Sequence, residues 1–241
     1  MDERIIYCSL IFFLAFFVRA LTGFGAGLIA IPVMALMYPL KMVVPLQLVF
    51  EVGVSALLLP KVWKDVDWPH ATNVLIGLFF GNMTGAYALA RVDNTILKNV
   101  LVVVVFLFAI YLTWTAKKPA PWNIRARWGL VFGMVGGVFG GSLGMGGPLV
   151  VLYLSQQFVR KENLRATLIG VFLFASSWTV PVHIYNGLYT RESLWLGLCL
   201  IPAFLIGTMA GHWAHFRTSD GLFRRIIAGI LFLSGILLLT M

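Results

Sequence analysis

The chain has 241 residues, 60% of them hydrophobic and only 11% charged, with a formal net charge of +9. A soluble domain averages about 45–50% apolar and about 25% charged residues, so the composition excludes an ordinary soluble globule. The basic excess sits in short segments between apolar runs, as positive-inside sorting requires, which argues against nucleic acid as the partner.

Long runs such as Ile5–Val18, Val43–Leu59 and Val100–Thr113 carry almost no charge. They predict an all-α polytopic membrane protein. An outer-membrane barrel would instead show ~10-residue alternating segments. Met1–Arg4 is too short for the basic start of a cleavable signal, and no small-residue cleavage site closes the first run. Cys8 and Cys199 both lie in apolar runs and suggest neither a disulfide framework nor a metal site.

In chain order, a glycine-interrupted apolar region over 5–38 comes first. Three helices are predicted after it, at about 43–60, 70–90 and 96–116. A second interrupted region follows at 128–159, then helices at about 164–185, 192–214 and 221–240. The two halves match. GFGAGLIAIP (23–32) aligns with GMGGPLVVLY (144–153) at an offset of 121. GNMTGAYALARVDNTILK (81–98) aligns with GTMAGHWAHFRTSDGLFR (207–224) at an offset of 126. The chain therefore reads as two homologous repeats, 1–117 and 128–241, joined by a basic, proline-bearing linker at 118–127.

As one helix, 5–38 would be ~51 Å long, too long for a ~30 Å hydrocarbon core. Split at the glycines, each arm holds ~15 residues and reaches ~22 Å, beyond the midplane but hardly across. A re-entrant hairpin with its tip at the glycines is the economical solution. Each repeat then crosses three times, so the two are inverted relative to each other. With returning hairpins, one side receives twelve loop Lys and Arg, among them Lys61, Lys64, Arg160, Lys161 and Arg165, and the other five. That bias favours the inverted arrangement and puts both termini outside the cytoplasm. Eight uneven crossings are also compatible with the pattern.

The tips carry the strongest chemical signal. They are Gly23, Gly25, Ala26 and Gly27 in the first copy, and Gly144, Met145, Gly146 and Gly147 in the second. Glycine exposes backbone amides, and a new half-helix begins at about Leu28 and Leu149. Helix N-termini present unpaired N–H donors and the positive end of the dipole, so two of them face to face make a dehydrated anion site. Tight helix packing is the alternative role for the glycines, and the duplication favours the site. Arg19 falls at the first tip, where an intramembrane cation marks a pathway or counter-ion unless it snorkels to an interface. Thr22 and Ser142 could add hydroxyl donors.

Glu51 lies near the centre of its helix with Gln47 one turn earlier on the same face. It could carry a coupling proton, pair with Arg19 or sit at an interface. Asn82 lies within the small-residue stripe Gly77, Gly81, Gly85, which reads first as helix packing, and is either a ligand or a satisfied interhelical bond. Ser176 and Ser177 form a polar patch whose hydroxyls most often bond back to the helix. No Walker loop, nucleophile–histidine–acid cluster or metal-spaced ligand set occurs, so neither an enzyme, a metal nor a cofactor is expected.

TGFGAGLIAIP and GGSLGMGGPLVVLYL, about 120 residues apart, together with DVDW at 65–68, resemble the signatures of the TauE/SafE family of sulfite and organosulfonate transporters. The likeness covers nearly the whole chain; Ala26 departs mildly from glycine. It implies an inner-membrane secondary transporter, often an exporter, for a small sulfur oxyanion. Its partners would be that anion and the lipid bilayer, and a homodimer is compatible. An anion channel and a non-transporting membrane scaffold or accessory subunit are the alternative readings. Arg19 and Glu51 rest on the physical argument alone.

Overall fold

The computed structural model describes residues 3–114, 127–158 and 160–214. Within these residues the fold is all-helical. The first broken region forms α1 (Glu3–Thr22) and α2 (Ala26–Met34), and α3 (Leu40–Val62), α4 (Trp68–Arg91) and α5 (Asn94–Trp114) follow. The second forms α6 (Trp128–Leu143) and α7 (Gly147–Leu154), followed by α8 (Lys161–Tyr185) and α9 (Arg191–Ala214). The helix predicted over 221–240 lies outside the described residues.

Five of these helices are long and apolar enough to cross a membrane: α1, α3, α4, α8 and α9. The central one is α3, with 72% of its apolar window buried against 39% for α1 and for α9. The bounds of α3, α4, α5, α8 and α9 fall within about three residues of the sequence reading, but the helices of the broken regions end at Met34 and Leu154, short of 38 and 159, and their arms are unequal. α1 has 20 residues and α2 only 9, while α6 has 16 and α7 only 8. The long arms therefore reach ~24–30 Å and the short ones ~12–14 Å. The glycines set where the chain turns, and packing against α9 and α4 sets how far each first arm is held helical before it.

Glycine accounts for the helix pairings. The stripe on α4 lies directly on α6. A Cβ on Gly81 would sit 2.8 Å from the Gly137 Cα, and one on Gly85 would sit 2.8 Å from the Ser142 amide. Matching positions rise together along both helices, so α4 and α6 run parallel. On the other side, Gly207 and Gly211 of α9 rest on the backbone of Phe13 and Phe17 of α1, again in parallel. Backbone contact of this kind needs residues without side chains. The packing role read for these stripes is thus what the glycines do.

Loops fix the ends. Asp67 caps α4 by accepting from the His70 amide at 3.2 Å. Asp93 accepts from the Thr95 amide at 2.7 Å, and that bond holds its carboxyl below the usual carboxylate range. Asn94 accepts from the Leu40 amide at 3.0 Å, and Lys41 donates to the Ala90 carbonyl at 3.1 Å. The start of α3 is thereby tied to the end of α4. At the opposite end, Thr167 accepts from the Asp67 amide at 3.0 Å, joining the start of α8 to the start of α4. Tyr189, after α8, donates to the Pro45 carbonyl at 3.1 Å, and burial raises its phenol well above the usual range.

Candidate functional site

The two broken regions meet. A Cβ on Gly27 would run into the Gly144 carbonyl, and one on Gly144 would run into Ile31. At the first tip, Gly23 and Gly25 hold φ of 87° and 101°, which only glycine adopts freely. Gly144 at the second tip holds φ 63°. α8 passes beside both. Arg165 near its start touches the first tip, and His183 near its end lies 3.1 Å from the Gly141 carbonyl of the second. The tips overlap rather than stop opposite each other at one level.

Between them lies a cavity of about 50 Å³, room for roughly four water-sized groups. Gly25, Ala26 and Gly27 line one wall and Gly144, Met145, Gly146 and Gly147 another, with Gln47, Glu51, Asn82 and Ser176 between them. Neither α2 nor α7 has a side-chain cap. The first-turn amides of each therefore lack a side-chain partner at the edge of this cavity. Each helix also directs its positive dipole end toward it.

Arg19 stands behind the wall, fully buried on α1. Its Nε donates to Glu51 Oε1 at 2.5 Å and its Nη2 to Ser55 Oγ at 2.8 Å. The guanidinium carbon lies 5.4 Å from the centroid of the Phe172 ring. Nη1 is buried without a hydrogen-bond partner. Glu51 thus bridges two environments: one oxygen holds Arg19, and the other accepts from Gln47 Nε2 at 3.4 Å. Gln47 Oε1 is buried and unpartnered beside Gly144. Of the three roles open to Glu51, the ion pair is the one seen here, on a residue that also lines the cavity.

Asn82 fills the space a side chain at Gly140 would need: a Cβ there would sit 2.8 Å from its Oδ1. Its Nδ2 donates weakly to the Ala175 carbonyl at 3.5 Å. Other residues singled out in the sequence lie outside the cavity. The Thr22 hydroxyl lies 2.8 Å from the Val18 carbonyl and 2.7 Å from that of Phe24, closing the first tip. Ser142 donates to the Val138 carbonyl at 2.6 Å. Both hydroxyls serve the backbone, as such residues commonly do in helices. Gly23 packs on Arg165, and Ser177 faces outward, exposed.

Three participants were missed by sequence reading. Ser55 continues the polar face of Gln47 and Glu51 by one more turn. Phe172 of α8 lines the cavity and sets its ring against the Arg19 guanidinium. Arg165, counted among loop charges, is instead 7% exposed and donates from Nη2 to the Ala20 carbonyl at 2.6 Å. Its Nε is buried without a partner.

The arrangement matches no solved structure. A protein of Cupriavidus necator named "Probable sulfite/organosulfonate exporter TauE" is 25% identical over 220 residues, covering 88% of this chain and 85% of its own. A Comamonas testosteroni protein named "Probable inner membrane transporter protein TsaS" is 24% identical over 186 residues, covering 72% and 73%. The family model for the sulfite exporter TauE/SafE matches residues 8–238. A match over nearly the full length, on a helical membrane chain with paired glycine tips, means that this chain belongs to the TauE/SafE family of membrane transporters.

Proposed function

We propose that the chain is a secondary transporter that exports a small sulfur oxyanion or organosulfonate across the inner membrane by alternating access. One observation carries this reading: a small cavity edged by two uncapped helix N-termini, with a buried arginine behind its wall. Two amide clusters and two dipole ends suit an oxyanion, because these backbone groups are already oriented toward the charge. The volume suits a group of about four heavy atoms, such as sulfite. The names of the Cupriavidus and Comamonas relatives support the substrate class and the membrane.

The frame is read as an inverted duplication, with repeats at 1–117 and 128–241. Its support is the exchange of partners. The first helix of each half pairs in parallel with the fourth helix of the other, α1 with α9 and α6 with α4. The tie of α3 to the end of α4 puts the close of the first hairpin at one face. The start of α8 lies at the other. Rocking of the two halves about the Gly27–Gly144 contact would open the cavity to each face in turn.

Glu51 is the coupling residue in this proposal. An anion in the cavity would sit beside its carboxylate, and a like charge at ~4 Å costs about 4 kcal/mol at an effective dielectric of 20. A proton on Glu51 removes that cost and frees Arg19 to face the substrate. Where no proton travels with the anion, the membrane potential is the alternative driving force, about 2.3 kcal/mol per charge at 100 mV or roughly a 50-fold outward gradient for a monoanion. The test is labelled sulfite and sulfoacetate flux in proteoliposomes. Saturation with stimulation by counter-substrate is expected. Linear flux without counter-transport would make the protein a channel. No flux of either anion would remove the transport reading for this substrate class.

A further inference from the structure

Two buried guanidiniums face one buried carboxylate around the first tip. Arg19 is fully buried and Arg165 is 7% exposed, while Glu51 is the buried acid among the described residues. Arginine does not lose its proton in proteins. Among the described residues one buried positive charge therefore has no buried counter-charge, and an unpaired buried charge is strongly unfavourable. Arg165 donates to the carbonyl of Ala20, the residue that follows Arg19. Each also keeps an unused donor: Arg19 Nη1 and Arg165 Nε are both buried without a partner. Glu162, one turn before Arg165, is exposed and forms no ion pair with it.

The positions of these donors are ordered. The face carrying exposed Lys61, Lys64 and Arg160 is the face where α8 begins. Arg165 lies about one turn inside it, against Gly23 and the Ala20 carbonyl. Arg19 is next, one residue from that carbonyl. Glu51 and the cavity come after. The cations thus lie between the basic face and the cavity, and neither lines the cavity itself.

We propose that Arg165 and the free edge of Arg19 form a second oxyanion station, on the basic-face side of the first glycine tip, through which the substrate passes between that face and the cavity. The inference rests on the transport reading and adds a residue and a route to it. An oxyanion there would accept from Nε of one arginine and Nη1 of the other, neutralising the surplus charge. Gly23 is needed at this point: its Cβ would sit 3.1 Å from both the Cγ and the carbonyl oxygen of Arg165.

The test compares sulfite flux in right-side-out and inverted membrane vesicles carrying wild type or Arg165→Gln. Losing one charge-assisted donor is expected to raise the half-saturating sulfite concentration at the basic face about tenfold or more. The value at the opposite face should be unchanged, because the cavity is intact. A role limited to holding the Ala20 carbonyl would shift both faces together or neither, and either result overturns the station. If Arg165→Gln loses its monodisperse peak in detergent, Arg165→Lys carries the same comparison. Lysine keeps the charge but lacks the planar edge, so a smaller one-sided rise is expected, and wild-type values at both faces overturn the proposal. Wild-type vesicles with no sulfite flux would sink the transport reading before any variant is compared, and the station with it.

Discussion

The pair Arg19–Glu51 makes a prediction that separates packing from function. Arg19→Met leaves Glu51 buried at 6% exposure with only the 3.4 Å contact from Gln47, and removes the donor to Ser55. Stranding one member of a buried pair costs about 3–5 kcal/mol. For a chain of this size that corresponds to a fall of roughly 6–20 °C in midpoint temperature. Glu51→Met strands Arg19 beside Arg165 and is expected to cost at least as much. The double variant buries two thioether chains of similar length in place of the ions, and such replacements are often neutral or stabilising by about 1–4 kcal/mol. A thermal-melt double-mutant cycle in detergent should therefore give a coupling of about 3 kcal/mol or more. Sulfite flux should not follow. The double variant is expected to fold like wild type and lose at least about a hundredfold in flux, since it lacks both the buried cation and the proton carrier. Wild-type flux in a stable double variant would make the pair purely structural and refute the mechanism. A cost under about 1 kcal/mol for Arg19→Met would refute the burial argument.

Four further perturbations follow from the same geometry. Gly27→Ala adds a Cβ against the Gly144 carbonyl; overpacking of about 1–3 kcal/mol is offset by about 1 kcal/mol of helix propensity, so flux should fall far more than the melting temperature. Gly81→Ala presses on the Met134 carbonyl and the Gly137 Cα; it carries the same overpacking and the same helix-propensity gain, but neither neighbour lines the cavity, so the melt should fall by a similar amount with the half-saturating sulfite concentration unchanged. Ser177→Ala on the exposed face should stay within about 0.5 kcal/mol of wild type with unchanged flux, whereas Ser176→Ala alters the cavity wall and should change the half-saturating sulfite concentration.

What was legible in the sequence is what glycine and periodicity dictate directly. The breaks at 23–27 and 144–147 announce themselves because glycine alone adopts freely the positive φ of Gly23, Gly25 and Gly144 and admits the close contact of Gly27. The stripes of α4, α6 and α9 announce themselves because close parallel helices need a small residue on every fourth position. The polar face Gln47–Glu51 is read off helical spacing, and Ser55 was available by the same rule. Arm length was not legible. Whether α1 stays helical for 20 residues depends on its contact with α9, nearly 200 residues away in sequence. Arg165 was obscured by Arg160 and Lys161, which make it look like part of a loop cluster. The available signal was its spacing with Phe172 and Ser176, which puts the three on one face of α8. Thr22 and Ser142 misled because a hydroxyl beside a tip can serve a ligand or the backbone equally well, and only coordinates decide.

In the duplicated frame proposed here, the charge is not duplicated. Under the offset of 121, Arg19 corresponds to Gly140, Glu51 to Phe172 and Arg165 to Val44. These counterparts are not idle. Gly140 makes room for Asn82, and Phe172 sets its ring 5.4 Å from the Arg19 guanidinium. The first copy supplies the Arg19–Glu51 pair, and the second supplies Arg165, the aromatic face of Phe172 beside Arg19 and the space at Gly140 that admits Asn82. Alternating access through a duplicated frame needs two shapes that exchange, which a repeated backbone provides. It does not need two sets of charges, and a second Arg–Glu pair would bring a second desolvation penalty of several kcal/mol per ion. In the proposed mechanism a single pair beside the tips would let the N-termini of α2 and α7 both act on one anion. The repeat therefore explains the movement proposed here, and the departures from it explain the chemistry.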